Sequence, residues 1–202
     1  MEKIKPFKDP AEAISSLDNG GRFYNIFTHP NDEKISESEV GKVAGVFFEK
    51  QKSILFMDLA IAHLAESAKE MIRQKFDNDL QASYNKFKAQ ELQPAETESK
   101  GIVASNVIIS GIPRLTNSKS RISGVILVPV ASTFTMIPIT EYYDVYEISD
   151  NDSDATFVIT TLKGKEKLPE KKIKVGGVLK ELKKIEKGAS GKFLEVSYFV
   201  ED

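Results

Sequence analysis

The chain of 202 residues contains no cysteine. This absence excludes disulfide bonds, thiolate nucleophiles and cysteine-ligated zinc or iron–sulfur sites. Histidine is also scarce, since His29 and His63 are the only two, and histidine is the most common general base. Phosphate-binding loops, dinucleotide-binding glycine motifs, His-Glu-x-x-His motifs and Gly-x-Ser-x-Gly elbows are missing as well. The sequence therefore carries no recognisable catalytic set and implies no cofactor.

The chain also lacks a hydrophobic run that could cross a membrane. The most apolar stretch, residues 54–65, is only about a dozen residues long and includes Asp58 and His63. The first residues have no apolar core of signal-peptide length behind them. The formal net charge is −2, so a nucleic acid or an anionic membrane could be attracted only by a local patch. We expect a cytoplasmic protein without a membrane partner.

The spacing of the apolar residues changes halfway along the chain. From residue 10 to residue 90 they recur at helical intervals, and from 101 to 200 they form short β-branched runs separated by turn residues. Between them, residues 93–100 are polar, include a proline and show no periodicity, which is typical of a linker. The sequence therefore predicts an α+β protein with a helical domain over 1–92 and a β-rich domain over 101–202.

Within the helical domain, several local signals mark individual helices. Asp9 and Pro10 predict an N-cap and the first position of a short helix over 10–17. The nearly all-apolar run 54–65 predicts a central helix that is covered on several sides. A narrower stripe predicts a long, half-exposed helix over 68–87, kinked near Asp77.

The β-rich domain is predicted to be a mostly antiparallel barrel or sandwich with one short helix. Its strands are expected over 102–111, 122–129, 133–139, 142–149, 156–162, 171–175 and 193–200. The helix is expected over Val178–Ile185, where apolar and lysine residues alternate at helical spacing. On element order alone, a barrel of the oligonucleotide/oligosaccharide-binding type is one candidate.

One segment of the helical domain has the apolar frame of a known calcium-binding motif. Phe23 and Phe27 form an aromatic pair before a polar loop, and Val40 and Val43 form an apolar face after it. Residues 23–46 thus resemble an EF-hand helix–loop–helix. The resemblance implies a metal site with side-chain ligands from Asp32, Ser36 and Glu39. The alternative is a helical hairpin of the same shape, in which the glutamate caps its own helix.

A second candidate region is rich in lysine. Residues 163–187 contain ten lysines and four glutamates, a local charge of +6. Such a patch can hold phosphates, although it has no arginine for bidentate contacts and no interleaved aromatic residue for base stacking. The candidate polyanion-binding residues are Lys171, Lys172, Lys174, Lys180, Lys183 and Lys184. The alternative is an ordinary solvated surface.

The candidate pocket residues are Asp58, Tyr142 and Tyr146, because a carboxylate within an apolar run and a cluster of tyrosines can both line a ligand site. Our first functional hypothesis is a non-enzymatic interaction or regulatory protein whose partner is another protein. The alternatives are nucleic-acid or polyanion binding through 163–187 and a carboxylate- or metal-dependent hydrolase. The oligomeric state does not follow from the sequence.

Overall fold

The structure is a computed structural model. It describes residues 1–20, 30–130, 133–150, 155–162, 166–181 and 191–201, and only the backbone between 117 and 142. The helices described are α1 (Pro10–Leu17), α2 (Glu37–Val43), α3 (Lys50–Ala60), α4 (Glu66–Arg73), α5 (Asn78–Phe87) and α6 (Pro94–Lys100). The strands are β1 (Glu2–Lys3), β2 (Gln90–Leu92), β3 (Asn106–Val130), β4 (Thr133–Ser149), β5 (Thr156–Leu162), β6 (Ile173–Glu181) and β7 (Lys192–Glu201). The predicted α+β class is confirmed.

The helices of the first half begin at the residues that can cap them. Helix α1 has the predicted bounds, and the Asp9 side chain accepts a hydrogen bond from the Glu12 amide at 2.8 Å. The predicted long helix over 68–87 is two helices, because Asp77 caps α5 by accepting from the Leu80 amide at 2.7 Å. No helix in the described ranges has the length and apolar character needed to cross a membrane.

The segment predicted as a linker, 93–100, contains helix α6. Pro94 occupies the first turn, where its missing amide hydrogen has no helical partner to lose. Thr97 is fully buried and its hydroxyl donates to the Gln93 carbonyl at 2.8 Å. Lys100 and Glu96 form an i,i+4 ion pair at 2.5 Å. The helix has no apolar stripe that the sequence could reveal, because its buried residues are Pro94 and Thr97, and the role of this segment as a linker stays a prediction.

Strand pairing closes a ring of five strands in the order β3, β4, β5, β7, β6 and back to β3. Strand β2 joins β3 and strand β1 joins β7, both in parallel. The sheet is mixed, because β5 and β7 are also parallel, and with its two added strands it is not a clean barrel. Because β1 and β2 come from the first 92 residues, both halves of the chain contribute strands to the sheet.

Strand β5 has the predicted bounds, and β7 matches its prediction to within one residue at each end. The helix predicted over Val178–Ile185 is wrong for its first four residues, which form the end of β6. Leu179 pairs with Leu194 in the ladder to β7, and both side chains are fully buried in the ring. Cross-strand packing therefore overrides the helical pattern. Residues 182–185 lie outside the described residues.

The sheet is covered by helix α3 on its outer side. Inside the ring, a core of apolar side chains from β3 to β7 includes Ile109, Tyr146 and Ile159. On the outside, Leu55 and Leu59 of α3 pack in one cluster with side chains of β3 and β7, namely Ile108, Tyr198 and Val200. The opposite side of α3 contributes Ile54 and Met57 to the core between the helices, and Ile61, which follows the helix, packs in the same core. The prediction of a central helix covered on several sides is confirmed for 54–60.

The Gly177→Ala variant tests whether the ring depends on a close backbone approach between β6 and β7. A Cβ at position 177 would overlap the Glu195 carbonyl oxygen and lie 2.7 Å from its carbon, so the backbone must shift. We expect a loss of about 1–3 kcal/mol in the free energy of unfolding, measured by urea denaturation. The matched control is Gly191→Ala, where no atom lies within 4 Å of the new Cβ. Equal stability of the two variants would contradict the packing described here.

Candidate functional site

Asp58, which the sequence singles out, lies in a cleft between the helices and the β2 edge of the sheet. The cleft has a volume of about 130 Å³. Three of its walls are helical, formed by α3, α4 and α5, and the fourth is formed by β2 and β3. Its polar lining consists of Asp58, Glu66, Lys69, Arg73, Tyr84 and Glu91. A half-buried carboxylate thus faces a small, mostly charged space.

Asp58 is held in place by one backbone and one side-chain donor. The Ala89 amide donates to Asp58 Oδ2 at 2.8 Å, and the Tyr84 hydroxyl donates to the same carboxylate. Burial raises the pKa of Asp58 from 3.8 to about 6, although the Ala89 hydrogen bond and the Arg73 charge act against this rise. Burial, together with the Asp58 charge, also raises the pKa of Tyr84, so its hydroxyl keeps its proton.

The two cations of the cleft are already paired. Lys69 and Arg73 both approach Glu66, at 3.4 and 3.6 Å, and Arg73 also approaches Glu70 at 3.3 Å. The Arg73 guanidinium carbon lies 5.6 Å from the centre of the Tyr84 ring, a cation–π arrangement. One donor of this guanidinium, Nε, is buried without a hydrogen-bond partner. The group that this cleft offers to a ligand is therefore the Asp58 carboxylate.

Of the candidate pocket residues, only Asp58 lines this cleft. Tyr146 is 1% exposed in the core of the ring, where its hydroxyl accepts from the Leu168 amide at 3.4 Å. The Tyr142 side chain lies outside the described part of the chain. Sequence reasoning missed Glu66, Lys69, Arg73, Tyr84 and Glu91. Their signal was weak, because polar residues in the gaps of an amphipathic stripe usually indicate a solvated face.

The three candidate calcium ligands have hydrogen-bond partners within their own segment. Glu39 is buried, and its carboxylate accepts from the Gly20 amide at 2.6 Å and from the Ser36 amide at 2.7 Å. Ser36 completes a capping box by accepting from the Glu39 amide. Asp32 accepts from the Lys34 amide at 3.0 Å.

Among the described residues, no group of three or more histidine or acidic side chains could hold a metal ion. Phe23 and Phe27, on which the EF-hand resemblance depends, lie outside these residues. The calcium site therefore stays a prediction.

The candidate lysines are divided between opposite ends of β6. Lys171 and Lys172 precede the strand and are exposed, whereas Lys180 lies near its far end. Three of the lysines form ion pairs: Lys171 with Glu201 at 2.8 Å, Lys174 with Glu91 at 3.5 Å, and Lys180 with Glu195. Lys183 and Lys184 lie outside the described residues. The nine residues of β6 span about 27 Å, so the segment does not form one continuous patch.

The Glu39→Gln variant tests the structural role of the buried carboxylate. One carboxylate oxygen accepts from the Gly20 amide and the other from the Ser36 amide, so glutamine places an NH2 donor against one of these two N–H groups. We expect a loss of about 1.5–3 kcal/mol in the free energy of unfolding in the presence of a chelator, measured by urea denaturation. The exposed Glu33→Gln is the control. A calcium-induced rise of the melting temperature that is absent from Glu39→Gln would instead support the EF-hand site.

The Asp58→Asn variant tests the cost of the buried charge. In the folded form Asp58 holds its proton up to about pH 6, whereas the unfolded chain releases it near pH 3.8. The stability of the folded form that this difference contributes is complete below pH 3.8 and is lost as the pH rises through 6. The loss amounts to roughly 3 kcal/mol. Asparagine keeps an acceptor for the Ala89 amide and does not ionise. We therefore expect the variant to gain stability relative to the wild type between pH 4.5 and pH 7.5, measured by urea denaturation, whereas the exposed Asp79→Asn should not.

No family model and no curated protein match the sequence. One of the solved structures similar to this chain is the crystal structure of the N-terminal domain of an archaeal MCM. The two chains are 12% identical, and the alignment covers 81% of this chain and 83% of the other. The TM-score is 0.37. A likeness of this size carries no argument about function, so any functional proposal must depend on the geometry of this chain itself.

Proposed function

We propose that the protein is a non-enzymatic binding protein that binds single-stranded nucleic acid at one end of its strand ring. The observation that carries this proposal is the strand order. Five strands close a ring in which the fourth, β6, pairs with both the first and the fifth. Five-stranded Greek-key barrels of the oligonucleotide/oligosaccharide-binding type bind their ligands on the face of the second and third strands and with the loops at the strand ends.

Strand directions identify the end of the ring that suits an anion. Strand β3 leaves the ring at the end where β6 begins and β7 finishes, because β6 is antiparallel to both. The paired continuation of β3 and β4 therefore extends from the end that carries Lys171 and Lys172. Strand β1 brings Lys3 to the same end, where it lies 2.9 Å from Glu201. We call Lys3, Lys171 and Lys172 the basic end.

The ion pairs at the basic end can be exchanged for contacts with phosphate. Hydrogen bonds from Lys171 and Lys3 lower the pKa of Glu201, so this carboxylate stays ionised between two lysines. The Lys171 side chain is 56% exposed, and ion pairs at such exposure contribute little to stability. Lys3 and Lys171 against Glu201 leave one positive charge within this ion-pair cluster, and Lys172 adds a second, while the exposed Glu2 and Glu170 adjoin these lysines in the sequence. Phosphates can therefore replace these ion pairs without a large loss in the free energy of unfolding.

The test compares lysines at the two ends of the ring. A fluorescent 20-mer of deoxythymidine is titrated with the protein between 25 and about 200 mM salt, where each phosphate contact to single strands contributes roughly −0.7 to the slope of log K against log salt. Replacing Lys171 and Lys172 with glutamine should weaken binding and lower the magnitude of this slope by about 1.4. The matched control replaces Lys180 and Lys100, two exposed lysines that also form ion pairs but lie away from the basic end.

The proposal fails if the wild type does not bind the 20-mer at low salt. It also fails if the control pair reduces binding as much as the pair at the basic end. If the 20-mer does not bind but a protein partner binds through the same lysines, the first hypothesis, a protein–protein interaction module, is favoured instead. Turnover on ester, phosphate or glycoside substrates would favour the hydrolase alternative.

A further inference from the structure

We propose that the cleft at Asp58 binds a small organic cation with a primary ammonium group, placed against the Asp58 carboxylate. This binding site is separate from the basic end, and the inference does not depend on nucleic-acid binding. It follows from the charges that line the cleft, from its volume and from the acceptor capacity that the Asp58 carboxylate retains.

The charge inventory leaves one carboxylate in excess. Lys69 and Arg73 are neutralised by Glu66 and Glu70. Glu91, at the β2 edge, lies 3.5 Å from Lys174. Asp58 accepts hydrogen bonds from the Ala89 amide and the Tyr84 hydroxyl, which carry no positive charge, and in the described part of the chain the only cation among its interactions is Arg73, which is already paired. The cleft therefore has a net charge of about −1, which a monovalent cation neutralises.

The volume of the cleft limits the size of this cation. Its 130 Å³ corresponds to roughly four water molecules at about 30 Å³ each. An amine with two or three carbons fits such a space, and a quaternary ammonium ion has no N–H that could donate to the Asp58 carboxylate. A primary ammonium group also has three N–H donors, and the carboxylate of Asp58 retains acceptor capacity beyond its two present hydrogen bonds.

The experiment follows backbone amides by NMR in the full chain during titration with ethylammonium, ethanolammonium and tetramethylammonium at constant ionic strength. We expect saturating shifts of the Ala89 amide with the two primary ammonium ions and no saturation with tetramethylammonium. Ethanolammonium and ethylammonium should bind with affinities within about threefold of each other, because both present the same primary ammonium group to Asp58.

Two variants separate binding from folding. Asp58→Asn keeps an acceptor for the Ala89 amide, so it should fold and yet bind ethanolammonium at least tenfold more weakly. Glu49→Gln is the matched control, because Glu49 is an exposed carboxylate at the start of α3 that pairs with Lys52.

A further titration distinguishes between two sources of the ammonium group, a protein side chain and a free small molecule. The tripeptide Gly-Lys-Gly presents it on a lysine side chain, as a partner protein would, and ethanolammonium presents it on a free small molecule. Saturation by either ligand, lost in Asp58→Asn, supports the proposal, and the tighter of the two identifies the source. Linear shifts that are equal in the wild type and in Asp58→Asn would overturn it. This outcome is independent of any result with the 20-mer.

Discussion

The packing of helix α3 on the outer face of the strand ring is the contact on which the rest of the structure depends. Gly176 of β6 has no side chain at the point of contact, and a Cβ there would lie 2.7 Å from Leu59 and 3.0 Å from Leu55. The helix can therefore lie close to the sheet, while Ile54 and Met57 on its other side pack into the core between the helices. One helix thereby joins the two halves of the chain.

This position of α3 explains why a carboxylate is half-buried. Most of the α3 surface is covered, and Asp58 lies at the boundary between α3 and the segment that joins α5 to β2. We call this boundary the seam. The seam supplies a backbone amide, that of Ala89, which needs an acceptor. Asn106 meets a similar need nearby, since its side-chain amide donates to the Gln51 and Phe87 carbonyls at 2.8 Å. The hydrogen bonds of these polar groups thus connect the helices to the sheet, and the cleft is the space between them.

The sequence predicts what depends on local patterns and misses what depends on pairing between distant segments. Helix α1 and strand β5 have the predicted bounds, because their caps and β-branched runs are local. Strands β1 and β2 have two and three residues, too few for any periodicity, and exist only because β7 and β3 lie beside them. Asp58 stands out in the sequence, but its neighbours in the cleft come from four other elements that no spacing in the sequence connects.

The lysine segment shows how topology alters the meaning of a local charge count. A charge of +6 over 163–187 describes one patch only if the backbone keeps these residues together. Because β6 must span the ring to pair with both β3 and β7, it separates Lys171 from Lys180 by the length of a strand. The same pairing adds Lys3, which lies far from the segment in sequence, to the end that carries Lys171. The electrostatic surface that a ligand meets is therefore set by strand order, and the number of lysines in a row is a poor measure of it.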